Sequence, residues 1–302
     1  MTVEACKSFL RATRQQPELG QQLKAVTGME EMIALGGRHG FDFTAQELAA
    51  GSAELGAETT PEPAADEPAP PRGTAFYHHE YDLADVPELA PLIDELPLLK
   101  VRPPVDLAAF RARFRADDLE STSKSPSDPE FQEWNRRMMA AHWQDPAGGG
   151  ARRDFHLVNL DEHVEHPGYP AYFAAKTRAI RLLEGVFGDE IRLSGSMWYP
   201  PNSYRLWHTN ENQPGWRMYV VDLDDDFPEG GGTSFFRYQN PGTGEIVTLP
   251  ERRRIVRFFK AEQDPAKLFW HCIVNPTERH RWSFGFVVPD GWQDHLRSLS
   301  AA

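Results

Sequence analysis

Two histidines and one arginine in the second half of the chain have the types and spacing that favour chemistry. His208 lies in the run Leu-Trp-His-Thr-Asn at 206–210, His271 follows 63 residues later, and Arg281 follows ten residues after that. A single histidine is more often a packed or surface side chain than a ligand. This order is more specific, because imidazole nitrogens are common metal ligands and a guanidinium forms a planar fork for a carboxylate. These three residues are therefore the candidates for chemistry.

Further short motifs surround the three candidates. They are Tyr-Pro-Pro-Asn at 199–202, Tyr-Val-Val-Asp-Leu at 219–223, Gly-Gly-Gly-Thr-Ser-Phe at 230–235 and Phe-Phe at 258–259. With these motifs, residues 195–288 resemble the Fe(II)/2-oxoglutarate-dependent oxygenases, especially their prolyl-hydroxylase-like branch. The resemblance implies a double-stranded β-helix and an enzyme that uses Fe(II), O2 and 2-oxoglutarate as cosubstrate.

The same resemblance implies a role for each site residue. His208 and His271 match the histidine ligands of iron, and Arg281 matches the residue that anchors the far carboxylate of 2-oxoglutarate. Tyr199 can donate its hydroxyl to that carboxylate, and Arg279 is the alternative anchor. Two imidazoles and usually one carboxylate hold Fe(II) on one face and leave open positions. The expected reaction is the oxidation of an unactivated C–H bond.

Asn210 departs from the family pattern, because the usual carboxylate ligand lies two residues after the first histidine. Alternate residues of a strand share a face, so Asn210 is expected beside His208, with Thr209 and Glu211 pointing away. Three interpretations stay open. Asn210 ligates iron through its amide oxygen; or two histidines hold iron with water or halide in the third place, as in halogenases and aspartyl/asparaginyl hydroxylases of this superfamily; or the site is inactive.

The elements that position these residues follow from apolar runs separated by turn residues. Strands are predicted at 191–199, 204–209, 216–223, 233–238, 245–249, 254–259 and 282–288. Helical spacing predicts helices at 110–114, 131–143 and 169–187, the last supporting the sheet. The predicted fold class is therefore α+β, with a jelly-roll or cupin-like double-stranded β-helix at 191–289 inside an oxygenase domain at 75–302.

The first 50 residues predict a separate, small helical domain. Helices are expected after Thr2, after Pro17 and after Thr27, and capping boxes start at Thr27 and Thr44. The run Gly-Phe-Asp-Phe-Thr-Ala-Gln-Glu-Leu at 40–48, with Phe-Leu at 9–10 and Pro-Glu-Leu at 17–19, resembles the Nif11-like leader family. That resemblance implies recruitment of peptide-maturation enzymes. Residues 51–74 hold five Pro and five acidic residues and predict an extended linker.

The two resemblances together predict a hydroxylase that acts on an amino-acid side chain in a ribosomal peptide. A 2-oxoglutarate-dependent halogenase is the enzymatic alternative, although Asn210 is larger than the Ala or Gly that usually leaves room for chloride. The non-enzymatic alternative is an inactive peptide-binding module that keeps the barrel. Metal content distinguishes this module from both enzymes.

Composition limits the remaining possibilities. The chain has 302 residues, with 32 Lys and Arg against 45 Asp and Glu, and a formal charge of −13 that argues against a dedicated nucleic-acid binder. Cys6 and Cys272 are the two cysteines, too few for a disulfide framework. No run of 18 apolar residues occurs, and the first residues lack the basic and apolar regions of a secretory signal. A cytoplasmic protein without a membrane or nucleic-acid partner is expected.

Overall fold

The computed structural model describes residues 3–16, 29–44, 77–144 and 153–296, together with Leu19, Gln22 and Glu47. The chain divides into two compact units, Met1–Gly73 and Thr74–Ala302. Among the described residues, no helix combines the length and the apolar character that crossing a membrane requires. Each unit has its own hydrophobic core.

The described part of the N-terminal unit is helical, as the sequence predicts. It contains helix α1 (Val3–Gln15) and helix α2 (Met29–Arg38). Its buried core consists of Cys6, Phe9, Ala12, Leu19, Leu35 and Phe43. Gly36 permits the close approach of Phe43, because a Cβ atom at position 36 would lie 2.5 Å from the phenyl ring. The aromatic and small side chains therefore close a compact core.

A capping box forms at one of the two predicted places. The Thr44 N–H donates to the Glu47 carboxylate over 2.8 Å, and the Glu47 N–H donates back to Thr44 Oγ1 over 3.2 Å. Such reciprocal bonds satisfy backbone donors at the start of a helix. The predicted box that starts at Thr27 and the predicted linker at 51–74 lie outside the described residues, and so does the predicted helix after Pro17 apart from Leu19 and Gln22.

The described part of the second unit is built on two antiparallel sheets. Its strands are β1 (His78–Asp82), β2 (Phe155–His156), β3 (Val158–Asn159), β4 (Arg192–Tyr199), β5 (Ser203–His208), β6 (Gly215–Leu223), β7 (Phe235–Gln239), β8 (Ile246–Pro250), β9 (Ile255–Ala261), β10 (His271–Asn275) and β11 (Arg281–Val288). The six-stranded sheet has the order β1-β9-β6-β11-β4-β3, and the five-stranded sheet has the order β2-β5-β10-β7-β8. This is the jelly-roll arrangement that the sequence predicts.

Helices pack against both sheets. The helices of this unit are α3 (Leu92–Leu99), α4 (Leu107–Ala112), α5 (Ala116–Ser121), α6 (Pro129–Gln144) and α7 (Tyr169–Phe187). Apolar side chains of α3 and α7 share one core with Trp282, Phe284 and Phe286 of β11. Since alternate residues of a strand point to opposite faces, Arg281 and Ser283 point toward the other sheet.

A second apolar cluster lies between the two sheets. Tyr199 and Phe259 of the six-stranded sheet pack with Phe236 and Ile273 of the five-stranded sheet, and Phe269 joins them from the loop before β10. These side chains are almost completely buried. They form the apolar floor between the sheets, around which the polar residues of the inner faces are arranged.

All seven predicted strands are present, with ends within two residues of the prediction, and the helix at 169–187 has the predicted bounds. The predicted helix at 110–114 was misplaced: α4 starts earlier, because Asp106 caps it by accepting from the N–H groups of Ala108 and Ala109. Strands β1, β2, β3 and β10 were not predicted, and β2 and β3 have only two residues each. Every side chain of β10 is buried, so it lacks alternation, and β1 is polar throughout.

Candidate metal and anion site

His208 and His271 are direct cross-strand partners on β5 and β10. Their ring centroids lie 4.0 Å apart. His208 Nδ1 is 2.8 Å from the Leu206 carbonyl oxygen, and His271 Nδ1 is 2.9 Å from the Phe269 carbonyl oxygen. Because a carbonyl only accepts, each Nδ1 carries the proton and each Nε2 presents a lone pair. A backbone hydrogen bond at Nδ1 is typical of histidines that bind a metal through Nε2.

The environment of His271 keeps its imidazole neutral. Its side chain is buried among the rings of Phe236, Phe259 and Phe269, with centroid distances of 4.6 to 5.6 Å. Burial lowers the pKa of His271 to about 3, and the bond to the Phe269 carbonyl opposes this only in part. A neutral imidazole is the form that binds a metal ion.

Asn210 lies beside His271, although not through strand alternation. β5 ends at His208, and Asn210 follows in the left-handed conformation with φ of 58°. Asn adopts this conformation more readily than most residues. Its Nδ2 lies 3.3 Å from His271 Nε2. The turn therefore brings the amide to the histidine pair.

Glu211, the nearest carboxylate in sequence, does not join the histidines. Its side chain accepts a hydrogen bond from the Thr209 hydroxyl, and the residue is exposed. Among the described residues, no group of three or more His, Cys, Asp or Glu side chains could hold a metal ion. The candidate metal ligands at this position are therefore two imidazoles and one amide.

Arg205 is a site residue that the sequence analysis missed. Its Nε donates to His208 Nε2 over 2.8 Å, and its guanidinium lies 3.5 Å from the centroid of the Phe155 ring. A β-bulge between the His271 and Ile273 pairings brings it there, because the extra residue in β5 changes which side chains share a face. The sequence gives no signal for this bulge.

Arg281 lies between the sheets with a carboxylate partner of its own. It is 1% exposed, and its Nε and Nη2 donate to the Glu251 carboxylate over 2.6 and 2.8 Å. Its guanidinium also lies 4.5 Å from the centroid of the Tyr199 ring. The third nitrogen, Nη1, is buried and has no hydrogen-bond partner among the described residues. One N–H group of Arg281 is therefore left without an acceptor among the described residues.

Glu251 is at the centre of a buried network. Arg257 donates to it over 2.9 Å, Ser234 donates over 2.8 Å, and Arg257 also binds Glu80 over 2.8 Å. Burial alone would raise the pKa of Glu251, but the guanidiniums of Arg281 and Arg257 outweigh it and lower the pKa to about 2. The carboxylate is thus ionised at neutral pH. Sequence analysis missed this residue too.

The predicted residues His208, His271, Asn210, Arg281 and Tyr199 line one pocket. Its volume is about 350 Å³, which suits a small molecule. Arg279, the alternative anchor, lies outside this lining and forms an ion pair of 3.4 Å with Asp225 instead. The imidazole pair and the buried guanidinium therefore line the same pocket.

The comparisons with known proteins support the two parts of the chain differently. Residues 1–48 match the family model of the Nif11 domain. This confirms the resemblance predicted for the N-terminal segment. No curated protein matches the sequence.

Solved structures similar to part of the chain are prolyl-hydroxylase-like oxygenases and cupins. A prolyl-4-hydroxylase from Pseudomonas putida is 14% identical, with a TM-score of 0.28, over 52% of this chain and 86% of that chain. A viral collagen prolyl hydroxylase from Paramecium Bursaria Chlorella virus-1, in its 2OG complex, is 11% identical, with a TM-score of 0.27, over 50% and 89%. A cupin domain from Bordetella pertussis is 15% identical, with a TM-score of 0.21, over 32% and 80%. Values this low transfer no activity to this chain.

Proposed function

We propose that the second unit binds Fe(II) through His208 and His271 and catalyses a 2-oxoglutarate-dependent oxidation of an unactivated C–H bond. The observation that carries this proposal is the pair of Nε2 lone pairs on adjacent strands, each fixed by a backbone bond at Nδ1. Iron together with 2-oxoglutarate and O2 would supply the oxidising power for C–H cleavage.

The donor set fits divalent iron at its two imidazoles. Asn210 takes the third place, and rotation of its amide exchanges Nδ2 for Oδ1, a neutral oxygen donor. The set carries no negative charge, in contrast to two histidines with a carboxylate. The protein is therefore expected to hold iron less tightly than an enzyme with the complete ligand set.

Other residues of the chain prepare the pocket. The rings of Phe236, Phe259 and Phe269 shield His271 from water. Arg281 offers Nη1 to the far end of the cosubstrate, and Tyr199 holds its guanidinium from the ring face. Arg205 must release His208 Nε2 before that nitrogen can bind a metal.

The proposed reaction is hydroxylation of an amino-acid side chain in a ribosomal peptide. The Nif11 match of residues 1–48 supports a link to peptide maturation, through the substrate or through a maturation enzyme that binds this segment. The halogenase alternative is disfavoured by Asn210, whose side chain fills the place next to His271 that a chloride ion would need.

A metal-free peptide-binding module is the second candidate function. The hydrogen bond from Arg205 to His208 favours it, because a cation already occupies one of the two lone pairs. Anaerobic titration of the full-length protein with Fe(II) and 2-oxoglutarate separates the two candidates. The proposed enzyme gives the weak visible charge-transfer band of the iron chelate, and then succinate when O2 and a substrate peptide are added. Absence of the band with 2-oxoglutarate and with every other 2-oxo acid tested refutes the proposed enzyme and favours the binding module.

A further inference from the structure

We propose that Glu251 makes the far end of the pocket selective for 2-oxo acids whose distal group is neutral and accepts a hydrogen bond, over those with a free carboxylate. This inference rests on the proposed function and narrows its cosubstrate class. 2-Oxoglutarate remains a cosubstrate in this account, but one of lower affinity than a neutral-ended acid of the same length.

The first observation is that the anchoring fork of Arg281 is already occupied. A guanidinium binds a carboxylate best through two parallel N–H groups. Glu251 takes such a pair, Nε and Nη2, at 2.6 and 2.8 Å. A carboxylate from a ligand could reach Arg281 only through the remaining Nη1, so it would lose the bidentate geometry.

The second observation is that the charges around Arg281 cancel. Arg281, Arg257 and Arg252 carry three positive charges, and Glu251, Glu80 and Asp82 bind them with three negative charges. Arg281 and Glu251 are almost completely buried. A charged group that leaves water for such a place needs an unpaired opposite charge, and a second carboxylate on Arg281 would also be repelled by Glu251.

The third observation is that a neutral acceptor still has a partner there. Nη1 of Arg281 is buried and has no hydrogen-bond partner among the described residues, while Arg281 itself lines the pocket. A buried donor without an acceptor is unfavourable. Its pocket neighbours include Tyr199, its cross-strand partner, and Ser283, two residues along the same face, and both are uncharged. An ester, amide or ketone oxygen would satisfy Nη1 without bringing a net charge.

The test compares two 2-oxo acids with the same chelating end. The iron-loaded, full-length protein is titrated anaerobically with 2-oxoglutarate and with its 5-methyl ester, and the charge-transfer band gives each Kd. We expect the ester to bind at least tenfold more tightly. 2-Oxopentanoate, which has no acceptor at its far end, should bind more weakly than the ester because it leaves Nη1 unsatisfied.

Two variants assign the preference to Glu251. In Glu251→Gln the ratio of the 2-oxoglutarate Kd to the ester Kd should fall at least tenfold, because the positive charge of Arg281 is no longer compensated. Glu80→Gln is the matched control: it also removes one negative charge from the network, but Glu251 still holds both N–H groups of the Arg281 fork, so the ester preference should fall less than in Glu251→Gln. If Glu251→Gln does not fold, the ratio of the two wild-type Kd values decides alone.

The outcomes separate this inference from the function on which it rests. Wild-type protein that binds 2-oxoglutarate as tightly as the ester, or more tightly, overturns the inference and leaves the oxygenase proposal intact. A folded Glu251→Gln variant with an unchanged ratio also overturns it. Absence of a band with all three acids refutes the proposed function and this inference with it.

Discussion

Arg205 donates its Nε–H to Nε2 of His208 over 2.8 Å, so a guanidinium occupies the lone pair that an iron ion would use. In the same site Asn210 stands where a carboxylate is expected. A cation is thus present and an anion is missing at the proposed metal position. Both features weaken the binding of a dication, and both can be reversed by single substitutions.

Removal of the Arg205 charge is predicted to strengthen iron binding. Arg205→Gln takes away the guanidinium that competes for His208 Nε2, so the Fe(II) dissociation constant should fall at least fivefold in anaerobic titrations. Arg237→Gln is the matched control, because Arg237 lies on β7 of the same sheet but donates to Thr122 and Thr248 outside the pocket. Unchanged or weaker iron binding in a folded Arg205→Gln variant would contradict the claim that Arg205 competes with iron for His208 Nε2.

A carboxylate at position 210 is also predicted to strengthen iron binding. Asn210→Asp supplies the missing negative charge and should lower the Fe(II) dissociation constant. Asn210→Gly should instead open the third position to water or halide. Aspartate and glycine both tolerate the φ of 58° at position 210, so both variants should fold.

Product masses test the role that the Asn210 side chain has in excluding halide. Wild-type protein supplied with chloride or bromide, 2-oxoglutarate and substrate should yield only the hydroxylated product, with a gain of one oxygen atom. A chlorine or bromine isotope pattern in the wild-type product would contradict this prediction and favour the halogenase.

The sequence predicted most of the strands that carry the site, but it missed β10, which holds His271, and it missed the contacts within the site. β4, β6 and β11 have the apolar runs and turn boundaries from which strands are recognised. Asn210 reached the histidine pair for a different reason from the predicted one, since a left-handed turn follows β5. Strand alternation cannot foresee such a turn.

Long-range ion pairs were outside the reach of the sequence for another reason. Glu251 lies 30 residues before Arg281 and in the connection that precedes β9, so no local spacing marks the two as partners. Arg205 was hidden because a bulge in β5 sets its face. The residue types of the site were therefore predictable, whereas its charge balance required the fold.

The Glu251 network is predicted to make the free energy of unfolding depend on pH in the acidic range. The pKa of Glu251 is about 2 in the folded protein against 4.5 as an ordinary value, so its stabilising contribution is complete above pH 4.5 and is lost as pH falls toward 2. A shift of this size corresponds to about 3 kcal/mol. Its neighbours in the network are Arg281, Arg257, Ser234 and Glu80.

Urea unfolding of wild-type and Glu251→Gln protein measures this contribution. The difference between their free energies of unfolding should be constant from pH 7 to 5 and should shrink below pH 4.5, for as long as both stay folded. Other titrating groups are common to both proteins and cancel in the difference. A difference that does not change between pH 5 and 3 would show that Glu251 does not titrate as described.

The two compact units lead to a prediction about truncation. A chain that starts at Thr74 should fold and bind Fe(II) with wild-type affinity, because every proposed ligand lies in the second unit. Circular dichroism and iron titration measure the two properties. Precipitation of the truncated protein, or loss of iron binding in a folded one, would contradict the prediction and show that the metal site requires the N-terminal segment.

The central claim, that His208 and His271 together hold iron, is tested most directly by anomalous scattering at the iron edge from crystals of anaerobically iron-loaded protein. The account predicts a single anomalous peak, which marks an iron ion within bonding distance of Nε2 of both histidines. The Arg205 side chain should then be displaced from His208. The same crystals of His271→Ala should lack the peak, whereas His163→Ala, outside the pocket, should retain it. A wild-type crystal with no peak at this position, and with Arg205 still bound to His208, would contradict the account.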